Sequence, residues 1–122
     1  MTIDISKLSD NEIHKIFKDD NISDVDKKYI LEHNCERIKK LPISIFRECM
    51  EYANVEILSK NYNDKITALS YDDLISLIYE GLCDIECLLH VIKMPTFQKY
   101  LEQEKQNKKN VKLQIFELTS KI

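Results

Sequence analysis

The chain has 122 residues, 43% hydrophobic and 32% charged, with 18 basic against 21 acidic side chains, a balance that fits one folded domain and excludes a disordered chain. A single Gly (Gly81) and two Pro (Pro42, Pro95) leave too few residues for positive-φ hairpin turns, so an all-β fold is all but excluded. The same scarcity removes the glycine-rich loops of P-loop and dinucleotide-binding enzymes, which need several Gly for the backbone to approach phosphate.

In chain order, the apolar spacing predicts helices. Ser9 and Glu12 stand at capping-box spacing, and Ile13, Ile16 and Phe17 supply an i, i+3, i+4 stripe, so a first helix is expected over 9–18. Asp19, Asp20 and Asn21 interrupt it. Ser23 or Asp24 can cap a second helix over 24–38, with Val25, Tyr29, Ile30 and Ile38 as its apolar face. Pro42 suits the first turn of a third helix carrying Ile43, Phe46, Cys49 and Met50. Asn54 can cap a brief fourth helix with Val55, Ile57 and Leu58, after which Asn61, Tyr62, Asn63 and Asp64 read as a turn. Ser70 and Asp73 form a second capping pair ahead of Leu74, Leu77 and Ile78, and Gly81 is placed for a left-handed C-terminal cap. Asp84 opens a sixth helix with Ile85, Leu88, Leu89 and Ile92 as its apolar face, and Pro95 is expected to stop it.

The fold expected is therefore all-α, with six to seven helices in one domain: a body over 1–94 and a basic C-terminal helix or tail over 95–122 packed on it. Asp24-Val25-Asp26, Asn54-Val55-Glu56 and Asp84-Ile85-Glu86 recur at intervals of 30 residues, each opening a helix. Equal spacing of helical hairpins is the mark of stacked repeats, although an acid or Asn followed by an aliphatic residue is also an ordinary helix start. The segments from Cys49 to Leu58 and from Glu80 to Leu89 resemble the inter-helix turn and second helix of ankyrin repeats. Thr67-Ala68-Leu69-Ser70 lies too far from Gly81 for that family's usual first helix, and the first unit lacks the pattern, so the family is not assigned.

The tail differs in charge and pattern. Six Lys against three Glu put residues 95–122 at +3 and leave the body at −6. Phe97, Tyr100 and Leu101 form one apolar patch. Val111, Ile115, Leu118 and Ile122 follow at 4-3-4 spacing, a stripe that can dock on the body or join a second copy, while Val111, Leu113 and Ile115 also alternate as a strand would. Lys105, Lys108, Lys109 and Lys112, with that stripe, are the interaction candidates.

For chemistry, Cys83, Cys87 and His90 at i, i+4 and i+7 put two thiols and an imidazole on one helical face, with His33 and Cys35 as further donors. Structural zinc sites usually use tight knuckles, and thiols among Ile85, Leu88 and Leu89 commonly serve as core filler, so no metal and no cofactor is expected. Cys49 or Cys35 with His33 or His14 is the only nucleophile–base pairing on offer, and an acidic body does not favour the thiolate. The paired acids Asp19-Asp20, Asp72-Asp73 and Glu102/Glu104 suit helix starts or solvated faces. Net charge −3 with only two Arg (Arg37, Arg47) argues against sequence-specific nucleic-acid binding.

The N-terminal Met1-Thr2-Ile3-Asp4-Ile5-Ser6-Lys7 lacks the apolar run and small-residue cleavage site of a secretion signal, no apolar run approaches a membrane span, and the four Cys read as reduced thiols. A cytoplasmic location, in the producing cell or an infected host, is expected. Many Ile and Asn with few Arg suggest AT-rich coding, in keeping with a viral or mobile-element source. The expectation is a non-enzymatic adaptor or inhibitor that binds another protein, with self-assembly through the C-terminal stripe as the alternative.

Overall fold

The computed structural model describes residues 4–106. As expected, the described chain is all-helical, with eight α-helices up to Ile92 and no strand. They are α1 (Asp10–Lys18), α2 (Asp24–His33), α3 (Cys35–Lys39), α4 (Ile43–Met50), α5 (Val55–Ile57), α6 (Asn63–Thr67), α7 (Tyr71–Glu80) and α8 (Ile85–Ile92). A π turn over Leu58–Tyr62 joins α5 to α6, and a further helical stretch covers 95–106.

Short polar side chains start these helices by accepting from otherwise unpaired backbone N–H groups. The Ser9 hydroxyl accepts from Glu12 N at 3.2 Å while Ser9 N donates to the Glu12 carboxylate, completing the capping box. Ser23, rather than Asp24, caps α2 by accepting from Asp26 N. Asn54, Ser70 and Asp84 cap α5, α7 and α8 in the same way.

Helices of like position pack side by side. α1 lies on α4 and α4 on α7, forming one layer; α2 lies on α5 and α5 on α8, forming the other. The core fills the space between: Phe17 from α1, Phe46 and Cys49 from α4 and Leu77 from α7 meet Ile30, Leu31, Tyr62, Ile66, Cys87 and Val91 from the second layer, all at most 2% exposed. The Phe46 and Tyr62 rings sit 6.0 Å apart across this space. Three helix–turn–helix units are thus stacked in a row, each covering an apolar face its neighbour cannot bury alone.

Both flanks of the row are covered. On the first unit, Ile5 is fully buried, its N–H donates to Asn34 Oδ1, and Arg37 donates to Leu8 O at 3.0 Å. On the third, Phe97 is buried, Tyr100 donates to Leu69 O at 3.2 Å, and its ring lies 5.6 Å from that of Tyr71.

Several sequence expectations need correction. The single helix over 24–38 is broken at Asn34 (φ −129°, ψ 31°), whose side chain bonds Ile30 O and Ile5 N in place of helical continuation. The expected turn at Asn61 to Asp64 is helical: buried Leu58, Tyr62 and Ile66 hold this segment against the core, and its polar residues form the outer side. Gly81 is not left-handed, having φ −113°. Glycine is required there by close approach, since a Cβ would lie 2.7 Å from Arg47 O and 2.8 Å from Leu77 O. Pro95 does not end α8, which stops at Ile92; it opens the helical stretch over 95–106, where its missing N–H costs no hydrogen bond.

The largest correction concerns helix faces. Val25 and Ile85, expected on apolar faces turned to the core, are 74% and 72% exposed, and Leu89 is 47% exposed. In α8 the core-facing residues are Cys87 and Val91, flanked by half-buried Leu88 and Ile92. Spacing marks an apolar stripe on a helix but does not fix which of its members the neighbouring unit covers.

Candidate interaction surface

Residues at or beside the inter-helix turns of the three units, Lys18 and Asp24, Glu51 to Ala53, and Glu80, Cys83 and Asp84, come together at one edge. Two adjoining grooves of about 300 Å³ each mark this edge. One is lined by Phe17, Lys18, Glu48, Glu51, Tyr52 and Glu80. The other is lined by Asp24, Lys28, Glu51, Tyr52, Ala53, Cys83 and Asp84. They share Glu51 and Tyr52, and each is lined by residues of all three units.

Tyr52 is fixed from below. Its ring lies 6.0 Å from that of Phe17, and the Lys27 ammonium sits 4.4 Å from its centroid and 3.5 Å from its hydroxyl. Lys27 is the one buried charged side chain among the described residues, at 2% exposure. A cation so placed draws on the negative face of the ring.

Carboxylates dominate the rim. Glu48 is engaged by His14 and Glu80 by Arg47 at 2.9 Å. No ion pair among the described residues engages Asp24, Asp26, Glu51, Asp84 or Glu86. Only Lys18 and Lys28 bring positive charge to the groove linings. Asp24 and Asp84 also sit at starts of α2 and α8, where the helix dipole favours negative charge.

The structure separates the three residues considered as metal ligands. Cys83 is exposed and precedes α8, beside Glu51; partial burial of its sulfur, and then the Glu51 carboxylate, push the thiol up. Cys87 is buried with its sulfur 3.4 Å from Ala53 O, and burial pushes it up to about 11. His90 faces α6, where its ring bonds Asn63 Oδ1 at 3.0 Å. Among the described residues no group of three or more His, Cys, Asp or Glu is placed to hold a metal ion. Cys49 is fully buried and its thiol is pushed far up, so it does not meet the need of a nucleophile for exposed thiolate. Cys35 is half-buried, and His33 stacks 4.1 Å from Tyr29.

Of the basic candidates in the tail, Lys105 is exposed and 3.7 Å from Glu102. Lys108, Lys109 and Lys112 lie outside the described residues, as do Val111, Ile115, Leu118 and Ile122. No described helix is long and apolar enough to cross a membrane.

No family model, no curated protein and no solved structure matches the chain. The likeness of two segments to ankyrin turns therefore stays a local one. Glu51 and Tyr52, shared by both grooves, entered the sequence reading only as members of the segment from Cys49 to Leu58. The 30-residue recurrence did mark Val25, Val55 and Ile85, but it registers only where helices start and not which side chains stay outside.

Proposed function

We propose that this chain is a non-enzymatic protein-binding module, an adaptor or inhibitor, that engages its partner along the edge formed by the three inter-helix turns. The observation that carries this reading is the pair of grooves, each lined by residues of all three units, that share Glu51 and a Tyr52 whose ring meets Phe17 and the Lys27 ammonium. A half-buried aromatic ring flanked by polar groups is the kind of feature that anchors protein interfaces. The carboxylate rim adds steering of a complementary partner. Neither membrane nor nucleic acid suits so acidic an edge.

The test is affinity capture with the wild-type chain and with Glu51→Lys, which reverses one charge shared by both grooves. A stoichiometric partner retained by the first and lost by the second supports the reading. Equal retention by both moves the interface elsewhere, and recovery of only further copies of the chain overturns the heteromeric reading in favour of self-assembly.

A further inference from the structure

Of the four large hydrophobic side chains exposed among the described residues, three belong to the third unit: Tyr79 at 80%, Ile85 at 72% and Leu89 at 47%. Helix geometry places them together. α7 turns Ser76 and Glu80 to Arg47 of α4, and α8 turns His90 to Asn63 of α6. At about 3.6 residues per turn, that leaves Ile75 and Ile78 of α7 and Leu88 and Ile92 of α8 turned away from the second unit, with Tyr79, Ile85 and Leu89 at the rim of the same side. The first four are half-buried. The third unit thus ends the stack on an apolar side, which a repeat architecture has to cover with a cap whose own outer surface is polar.

Residues 95–106 supply part of that cap. Phe97 is buried, and Tyr100 holds to the start of α7, its hydroxyl on Leu69 O and its ring against Tyr71. Glu104 lies there too, since partial burial first, and then the Glu104 carboxylate, push the Tyr71 phenol up. Tyr79 stands about two turns further along α7, and Ile85 opens α8 beyond the turn at 81–84, both at the far end of this side from Tyr100. The chain continues past Gln106 for sixteen residues, 107–122, which lie outside the described residues. Even at a helical rise they reach about 24 Å, against about 12 Å from Tyr71 to Tyr79 along α7. They carry Val111, Ile115, Leu118 and Ile122 at 4-3-4 spacing, with Lys108, Lys109, Lys112 and Lys121 against the single acid Glu117.

We infer that residues 107–122 fold back over the outer side of the third unit and lay this stripe against Ile78, Tyr79, Ile85 and Leu89, so that the chain caps its own stack. Tethering favours this occupant over a free one, because a short linker holds the segment at an effective concentration of about millimolar. Charge favours it as well: a basic segment is drawn to an acidic body, whereas a second copy would bring two acidic bodies together. The Lys residues then form the polar outer surface of the cap. The cap and the proposed edge are independent, and either can hold without the other.

The test uses the full chain and reads the cover directly. Hydroxyl-radical footprinting should find Tyr79 and Leu89 protected in the wild type and oxidised several-fold faster in Ile115→Ser/Leu118→Ser, while Val25, exposed on the first unit, reacts equally in both. Denaturant titration should find the unfolding equilibrium constant raised about tenfold by Tyr79→Ser/Leu89→Ser, about tenfold by the tail variant, and by no more than about that factor when the two are combined, because the two pairs bury each other. Fast oxidation of Tyr79 and Leu89 already in the wild type overturns the inference. So does a Tyr79→Ser/Leu89→Ser variant as stable as the wild type, or losses that add in the combined variant. Protection that fades on dilution, with a dimer found by light scattering, assigns this side to a seam between copies and overturns it too.

Discussion

The two layers of the stack are joined by different means. Between α1, α4 and α7 the polar links are charged and near the surface: His14 to Glu48, and Arg47 to Ser76 Oγ at 2.6 Å and to Glu80 at 2.9 Å. Between α2, the π turn and α8 they are neutral and two are buried: the Tyr62 hydroxyl donates to Leu31 O at 2.5 Å and the Cys87 thiol meets Ala53 O from the preceding turn, while Asn61 donates to Glu32 O at the surface. Half-exposed ion pairs fix which helix faces which while adding little stability, because water and salt screen them. A buried hydrogen bond contributes chiefly through the cost of leaving its partner unmet. The second layer is therefore pinned mainly from inside.

That contrast can be tested hardest where both layers meet. Phe46 is fully buried and faces Tyr62 across the core, so Phe46→Ala should cost about 3 to 5 kcal/mol and take the chain close to its folding limit, as read from denaturant midpoints. A loss under about 1 kcal/mol would mean that the two layers do not share one core. Next comes Gly81→Ala. The substitution gains about 0.4 to 1 kcal/mol from a less flexible unfolded chain. The new Cβ would nevertheless meet backbone oxygens of Arg47 and Leu77 under 3.0 Å, which neither α4 nor α7 can yield cheaply. Overpacking should win, with net destabilisation of about 1 to 2 kcal/mol.

A paired measurement then separates the layers directly. Tyr62→Phe removes the donor to Leu31 O and should cost about 1 to 2 kcal/mol at any ionic strength, because the carbonyl it strands is buried. Arg47→Ala should cost about 0.5 to 1 kcal/mol at low salt and less at high salt. If both variants show the same salt response, the division between a surface-stitched and an interior-pinned layer does not hold.

How much of this was legible follows from where each signal originates. Helix starts were readable because the capping atom and its N–H lie within three residues of each other, as at Ser9, Asn54, Ser70 and Asp84. The break at Asn34 was not, since its side chain is committed in part to Ile5, 29 residues away. The run from Asn61 to Asp64 has turn composition, yet Tyr62 reaches Leu31 and holds it helical; a tertiary bond overrode a local preference. The edge was hidden for a related reason. Periodicity places apolar residues on a stripe but does not state which of them the next unit covers, so Val25 and Ile85 were assigned to the core. Thiol and imidazole spacing in α8 likewise suggested a shared face, whereas Cys83 lies before the helix begins.

The smallest expected effect concerns the one ion pair that ties α3 to α6. Lys39 sits 3.0 Å from both Glu36 and Asp64. Glu36 first, then Asp64, hold the ammonium above its ordinary 10.5, and the hydrogen bond from Lys39 holds the Asp64 carboxyl below its ordinary 3.8. For the acid, the contribution to stability is present above the unfolded value and fades as pH falls through the lower folded one; for the base, it is present below the unfolded value and fades as pH rises through the higher folded one. The pair should thus contribute evenly between about pH 5 and pH 10, by less than about 1 kcal/mol because Asp64 is exposed. The difference in unfolding free energy between wild type and Lys39→Met should therefore be flat across that window and shrink at both ends. Movement in the middle of the window would assign the dependence to groups other than this pair.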